Sequence, residues 1–267
     1  MRIAVLGMGS MGSWLASEMA GHGPLAVYDR DPNRTAAVPE AVRMEAPAEL
    51  AGFQPELLVN AVGIGDTIDV FRSVETFLPP GCILADMATI KRPVFDYYEK
   101  CPFPHASIHP LFGPRFADLK RVSGRIVLLL RDSAEPAKML FRTIFSNLRC
   151  RVLECSLPEH EAVMGTSLAL PLASSIAFAA ALSTDPLPGS SFTALREFAG
   201  RMFQEDDRLL AEILFNPHSL RKLDDMTRSL EFLKHVIRAR DYEEAFHLLD
   251  RLREKIGPAL DSPAEIR

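Results

Sequence analysis

The stretch Ile3-Ala4-Val5-Leu6-Gly7-Met8-Gly9-Ser10-Met11-Gly12 decides how the rest of the chain is read. A short apolar run reads as a strand, a Gly-x-Gly-x-x-Gly turn follows, and residues 11–20 continue at helical spacing. Each glycine has its own reason to be there. Gly7 allows the tight turn, Gly9 lets the backbone approach a diphosphate, and Gly12 lets the helix lie close on the sheet. Met8, Ser10 and Met11 fill the turn, and the free N–H groups at the start of the helix are expected to hold the anion. A second strand, Leu25–Tyr28, ends in Asp29. That is close to the spacing of about 20 residues at which an acid binds the adenosine ribose of a dinucleotide. A carboxylate there favours NAD and repels a 2′-phosphate. Arg30 and Arg34 lie beside it and keep NADP open.

Outward from this motif, strand signals recur at residues 57–62, 82–86, 107–109, 125–130 and 151–154, with helical patterns at 68–77 and 136–148. Such alternation predicts a parallel sheet covered on both faces. After Ser156 apolar residues recur only at helical spacing, through 209–214, 230–237 and 245–256. The expected fold is therefore α/β, a Rossmann-type doubly wound, mostly parallel sheet over residues 1–155, followed by an all-helical domain over 156–267.

Composition supports a globular protein: 267 residues, 48% apolar, 24% charged, net charge −5. No basic run marks a nucleic-acid partner. Cys82, Cys101, Cys150 and Cys155 are scattered without a Cys-x-x-Cys pair, which reads as reduced thiols in a cytoplasmic protein rather than a disulfide or zinc framework. Residues 163–182 carry no charge and match the length of a membrane span, but Gly165, Pro171 and several hydroxyl residues favour a helix buried in a core or a subunit interface.

Two segments fall where such a sheet presents its chemistry, beyond the carboxyl ends of strands. In Ile108-His109-Pro110-Leu111-Phe112-Gly113-Pro114, a neutral His109 is suited to take a hydroxyl proton as hydride leaves the same carbon. In Asp86-Met87-Ala88-Thr89-Ile90-Lys91, the Thr89 hydroxyl could bond the same oxygen. Position alone leaves an ordinary loop histidine equally open.

The segment from Ser107 to Pro114 resembles the His-Pro-Met-Phe-Gly-Pro motif of the prephenate and arogenate dehydrogenases of tyrosine biosynthesis. Asp86 to Lys91 is similar to that family's Asp-x-x-Ser-x-Lys, with Thr89 in place of Ser. Pro158-Glu159-His160-Glu161, followed by Leu170-Pro171, resembles the opening of its helical domain. The resemblance implies NAD-dependent oxidative decarboxylation of prephenate or arogenate, with His109 as base and Thr89 beside it. It implies Arg201 as the substrate-carboxylate ligand, with Arg115 a weaker second contact. It also implies a homodimer formed through the helical domain, which the charge-free 163–182 segment suits. Many family members have a His where Leu172 stands, so an amino-substituted prephenate is a further candidate substrate. Glu161 replaces the family's Asp, and His160 reads as structural. Neither a fused mutase nor an appended regulatory domain is expected. The competing readings are a β-hydroxyacid dehydrogenase or imine reductase, and a non-catalytic NAD-binding dimeric sensor.

Overall fold

The computed structural model describes residues 1–113, 121–182 and 189–257. Two compact units are present, one formed by Met1–His160 with Glu205–Leu209 and the other by Glu161–Gln204 with Leu210–Arg267.

The first unit is built on eight strands, β1 (Ile3–Leu6), β2 (Leu25–Tyr28), β3 (Val42–Arg43), β4 (Leu57–Asn60), β5 (Ile83–Asp86), β6 (His105–Pro110), β7 (Ile126–Leu130) and β8 (Arg151–Cys155). They lie in the order β3-β2-β1-β4-β5-β6-β7-β8. Every pairing is parallel except β6 with β7, where His109 faces Leu128 across an antiparallel ladder. The first unit's helices are α1 (Ser10–Met19), α2 (Leu50–Phe53), α3 (Thr67–Val74), α4 (Arg92–Tyr98) and α5 (Glu135–Asn147). Side chains alternate between faces along each strand, and both faces are buried. Ile3, Val5, Leu57 and Val59 meet Leu15 and Met19 of α1 and Phe141 of α5 on one side. Ala4, Leu6, Leu58 and Leu84 meet Phe71 of α3 and Tyr97 of α4 on the other. This is the doubly wound architecture, and the near-continuous apolar strands follow from it.

Two elements escape a reading by pattern. β3 is two exposed residues at the sheet edge. α4 is seven residues opening on Arg92-Pro93, where a proline at the first turn costs no hydrogen bond but also hides the helical period.

The second unit begins within the helix α6 (Leu157–Met164), which runs through a π-helical turn, Gly165–Ala169, into α7 (Leu170–Ala180). Pro171 has no N–H to donate four residues back, and the wider turn absorbs that defect. The Ser167 hydroxyl donates to the Val163 carbonyl across the same region. α8 (Ser190–Met202), α9 (Asp207–Leu214), α10 (Ser219–Ala239) and α11 (Tyr242–Ile256) complete the helices, the start of α9 belonging to the first unit. Phe192 of α8 packs at a tilt against Phe178 of α7, with ring centres 5.6 Å apart. Gly165 lies so close to α10 that a Cβ would stand 2.7 Å from that of His218.

Among the described residues the charge-free segment is not buried on all sides. The continuous helix Leu157–Ala180 is long and apolar enough to cross a membrane, yet only 28% of its most apolar window is buried. Packing in the described residues covers one stripe, Met164, Ala169 and Leu172 among it, and leaves Ile176 outward.

Candidate active site

The turn after β1 is shaped by sterics the sequence could express only as glycine. Gly7 has φ +89°, and a Cβ there would lie 2.8 Å from the Val62 nitrogen. A Cβ on Gly12 would stand 1.9 Å from the Gly7 carbonyl oxygen. Gly9 differs: a Cβ there would meet nothing within 4 Å, so its smallness serves whatever approaches from outside. No side chain caps α1 at Gly9, so the helix keeps its N-terminal donors and positive end for an anion.

Asp29 follows β2. Its Oδ2 accepts from the Met8 N–H at 2.6 Å and its Oδ1 from the Asp31 N–H at 2.9 Å. The carboxylate is thus pinned against the glycine turn, and each oxygen keeps a lone pair free for a hydroxyl. A cavity of about 460 Å³ opens here, lined by Gly7, Gly9, Asp29, Arg30, Val62 and Asp66 among others. It lies where β1 and β4 adjoin, the point at which the strand order reverses, which is where such sheets bind dinucleotides. Arg34 is drawn toward Asp31, at 3.6 Å. The fit to a dinucleotide is good: open space at Gly9, donors at α1, and a fixed acid held against the turn at the cavity wall.

Beyond β5 and β6 lies a second cluster. Asp86 and Lys91, both fully buried, form an ion pair of 2.5 Å. Lys91 Nζ also donates to the Ile108 carbonyl at 2.7 Å, and Asp86 accepts from the Tyr98 hydroxyl and the Ala88 N–H. Burial pushes the Lys91 ammonium pKa down and the Asp86 charge pulls it back up. This pair fixes the β6 backbone one residue before His109. Two residues past Pro110, Phe112 packs edge-on against Trp14 of α1 at 5.6 Å, so the His-Pro-Leu-Phe segment is tied to the helix that opens at the glycine turn.

His109 is 6% exposed and His160, on α6, is 1% exposed. His109 Nδ1 lies 3.0 Å from His160 Nε2. Burial, then His160, then Lys91 hold the His109 imidazole well below the ordinary histidine range. Burial and Lys91 push His160 down to about 3. Both rings are therefore neutral at physiological pH, and a neutral imidazole can act as a base.

The other residues singled out from the sequence fall as follows. Thr89 is half-buried in the bend after β5, next to the strand that carries His109. Arg201 is exposed in the last turn of α8 in the second unit, and Leu172 is buried in α7 of that unit. Arg115 lies outside the described residues. The Lys91–Asp86 pair and the contact of His160 with His109 were not read from the sequence.

Residues 2–97 match the family model for the NAD-binding domain of 6-phosphogluconate dehydrogenase. Arogenate dehydrogenase 2, chloroplastic, of Arabidopsis thaliana is 22% identical over 257 residues, which cover 91% of this chain and 72% of that protein. The structure of prephenate dehydrogenase from A. aeolicus in complex with hydroxyphenyl propionate and NAD+ superposes with a TM-score of 0.82 at 19% identity, covering 97% of this chain and 98% of that one. Synechocystis arogenate dehydrogenase superposes with a TM-score of 0.79 at 18% identity, over 97% of this chain and all of that one. The fold, including a helical unit after the sheet, is the one these enzymes have.

Proposed function

We propose that the protein is an NAD-dependent dehydrogenase that oxidatively decarboxylates prephenate or arogenate. One observation carries the reading: a buried, neutral imidazole, His109, stands at the end of β6, on a segment tied by Phe112 and Trp14 to the dinucleotide-binding helix. The likeness over nearly the whole chain to prephenate and arogenate dehydrogenases supports it.

NAD, when bound, supplies an acceptor for hydride. The chain supplies the rest. Gly9 and the start of α1 hold the diphosphate, and Asp29 accepts from the ribose hydroxyls. His109 Nε2 takes the proton of the ring hydroxyl as hydride leaves the same carbon. The bond from the ring to its carboxylate then breaks, carbon dioxide departs, and the released electron pair completes an aromatic ring. Aromatisation makes the step effectively irreversible, so no separate acid is needed for decarboxylation. Thr89 bonds the reacting oxygen, and Arg201 holds a substrate carboxylate in a paired geometry suited to guanidinium. Leu172 supplies an apolar side chain where many relatives offer an imidazole, which keeps an amino-substituted prephenate among the substrates to be tried.

The second unit mediates homodimerisation in this reading. Leu220, Ile237, Phe246 and Ile256 are each more than half exposed, an apolar exposure that a partner subunit would cover. A reducing, cytoplasmic setting suits the four free thiols.

Turnover assays with prephenate and arogenate, each with NAD and with NADP, test the assignment. One substrate is expected to reduce NAD and release carbon dioxide in equal amounts. His109→Asn should bind NAD normally and lose about 10²–10⁴-fold in kcat. No turnover of either substrate by the folded protein would refute the assignment.

A further inference from the structure

Two buried imidazoles in contact need one proton between them. Of His109 Nδ1 and His160 Nε2, 3.0 Å apart, one carries a hydrogen and the other accepts it. The choice has a chemical consequence. If His160 donates, neutral His109 carries its own proton on Nε2 and presents a donor there. If His109 donates, its Nε2 is bare and basic.

We propose that His160 is the positioning residue of the reaction: its Nε2 accepts the His109 Nδ1–H, which fixes the ring and leaves His109 Nε2 as the proton acceptor. The inference rests on the dehydrogenase reading for its role in turnover. The hydrogen-bond direction can be measured without turnover.

Three features of the site support it. His160 is the fourth residue of α6, and its backbone N–H bonds the Ser156 carbonyl, so the ring is carried on a rigid first turn. That turn is itself locked, since the Glu159 carboxylate accepts from both the backbone N–H and the hydroxyl of Ser156. The remaining nitrogen, His160 Nδ1, is buried and has no hydrogen-bond partner among the described residues. A buried polar atom left in that state is a cost that folds retain chiefly where chemistry is done. A histidine kept only to begin a helix would have no need of a buried site against a second histidine.

Among the described residues the charged group acting on both rings is the Lys91 ammonium, itself paired with Asp86, with the Cys155 thiol beyond it. Lys91 opposes protonation of both rings. A neutral His160 that accepts the His109 Nδ1–H also steadies the imidazolium that forms, so removing His160 should change how readily His109 protonates.

Two variants of the full-length protein test the proposal. His160→Leu removes the acceptor at similar bulk, and His160→Gln restores an amide oxygen near the Nε2 position. Expected for His160→Leu is a fall of about 10–100-fold in kcat, with KM for substrate and NAD within about twofold, and an acid limb displaced from that of the parent. His160→Gln is expected within about threefold of the parent in kcat. A merely structural role predicts instead that both variants lose activity together with thermal stability and that the pH profile keeps its shape; that result, or an unchanged His160→Leu, overturns the proposal. A second readout needs no turnover. Nitrogen NMR of ¹⁵N-imidazole-labelled protein, with the His109 signals identified by their loss in His109→Asn, should find the His109 proton on Nδ1. A proton found on Nε2 overturns the proposal even if catalysis is normal. If the parent protein fails to turn over prephenate and arogenate, the functional reading falls and the tautomer measurement alone decides the hydrogen-bond direction.

Discussion

Replacing Lys91 with Met isolates the buried ion pair on which the placement of His109 depends. Lys91 and Asp86 are both fully buried, and methionine matches the length of the lysine stem. In the variant the Asp86 carboxylate keeps the Tyr98 hydroxyl at 3.1 Å and the Ala88 N–H at 3.0 Å but loses its counter-charge. Removing one partner of a buried pair costs about 3–5 kcal/mol. The Ile108 carbonyl loses a donor as well, adding about 1 kcal/mol. For a unit of this size 1 kcal/mol moves Tm by about 2–4 °C, so the variant should melt roughly 8–24 °C lower. Adding Asp86→Asn removes the stranded charge and keeps an acceptor for Tyr98. The double variant should regain most of the loss, because a buried pair and a neutral replacement differ little. Urea titrations followed by circular dichroism, read as midpoint shifts at constant slope, measure both. The stable double variant should still turn over about 10-fold more slowly, since β6 has lost its anchor one residue before the base. A Lys91→Met variant within 1 kcal/mol of the parent would refute this account of the pair. A double variant no more stable than the single would do so equally.

Other expectations concern the two histidines, the glycine turn and Arg201. His160 is pushed down to about 3 in the folded chain against about 6.5 when unfolded, so the unfolded chain binds the extra proton below pH 6.5. Stability contributed by its neutral burial is full above pH 6.5 and should fall by about 2 kcal/mol between pH 8 and pH 5, with His109 adding to the loss in the same direction. Urea midpoints across that range check it. For the same reason the acid limb of kcat/KM should lie below 6.5 rather than at the ordinary histidine value, and an inflection at or above 6.5 would count against a buried base. Gly9→Ala should leave Tm within about 2 °C while weakening NAD binding at least tenfold, whereas Gly12→Ala, whose Cβ would meet the Gly7 carbonyl oxygen, should lower both. Isothermal titration and melting of the two variants separate cofactor contact from fold. Arg201→Ala should raise KM by an amount equivalent to ~2–4 kcal/mol with kcat little changed; a fall in kcat alone would remove the ground-state carboxylate contact.

What the chain discloses before folding is what depends on backbone geometry close in sequence. Gly7 and Gly12 must be glycine because a Cβ would strike Val62 or the turn itself, and Asp29 follows at a distance set by one helix and one strand. Those constraints are local, so the dinucleotide half of the site was legible, as were the apolar strands buried on both faces. Short elements such as β3 and α4 were not, for they hold too few residues to show a period. The proton affinity of His109 illustrates the deeper limit. A solvated imidazole titrates near about 6.5, and nothing near residue 109 in the sequence says otherwise. What lowers its proton affinity is the burial of β6 among its neighbours, His160 fifty-one residues later, and Lys91 on the preceding crossover. His160, read from sequence as structural, has no periodic relation to His109, and only the fold, which runs β8 into the first turn of α6, brings the rings together. A motif can thus single out an imidazole as a candidate base, but whether that imidazole is neutral, and which nitrogen carries its hydrogen, is decided by partners that only the fold selects.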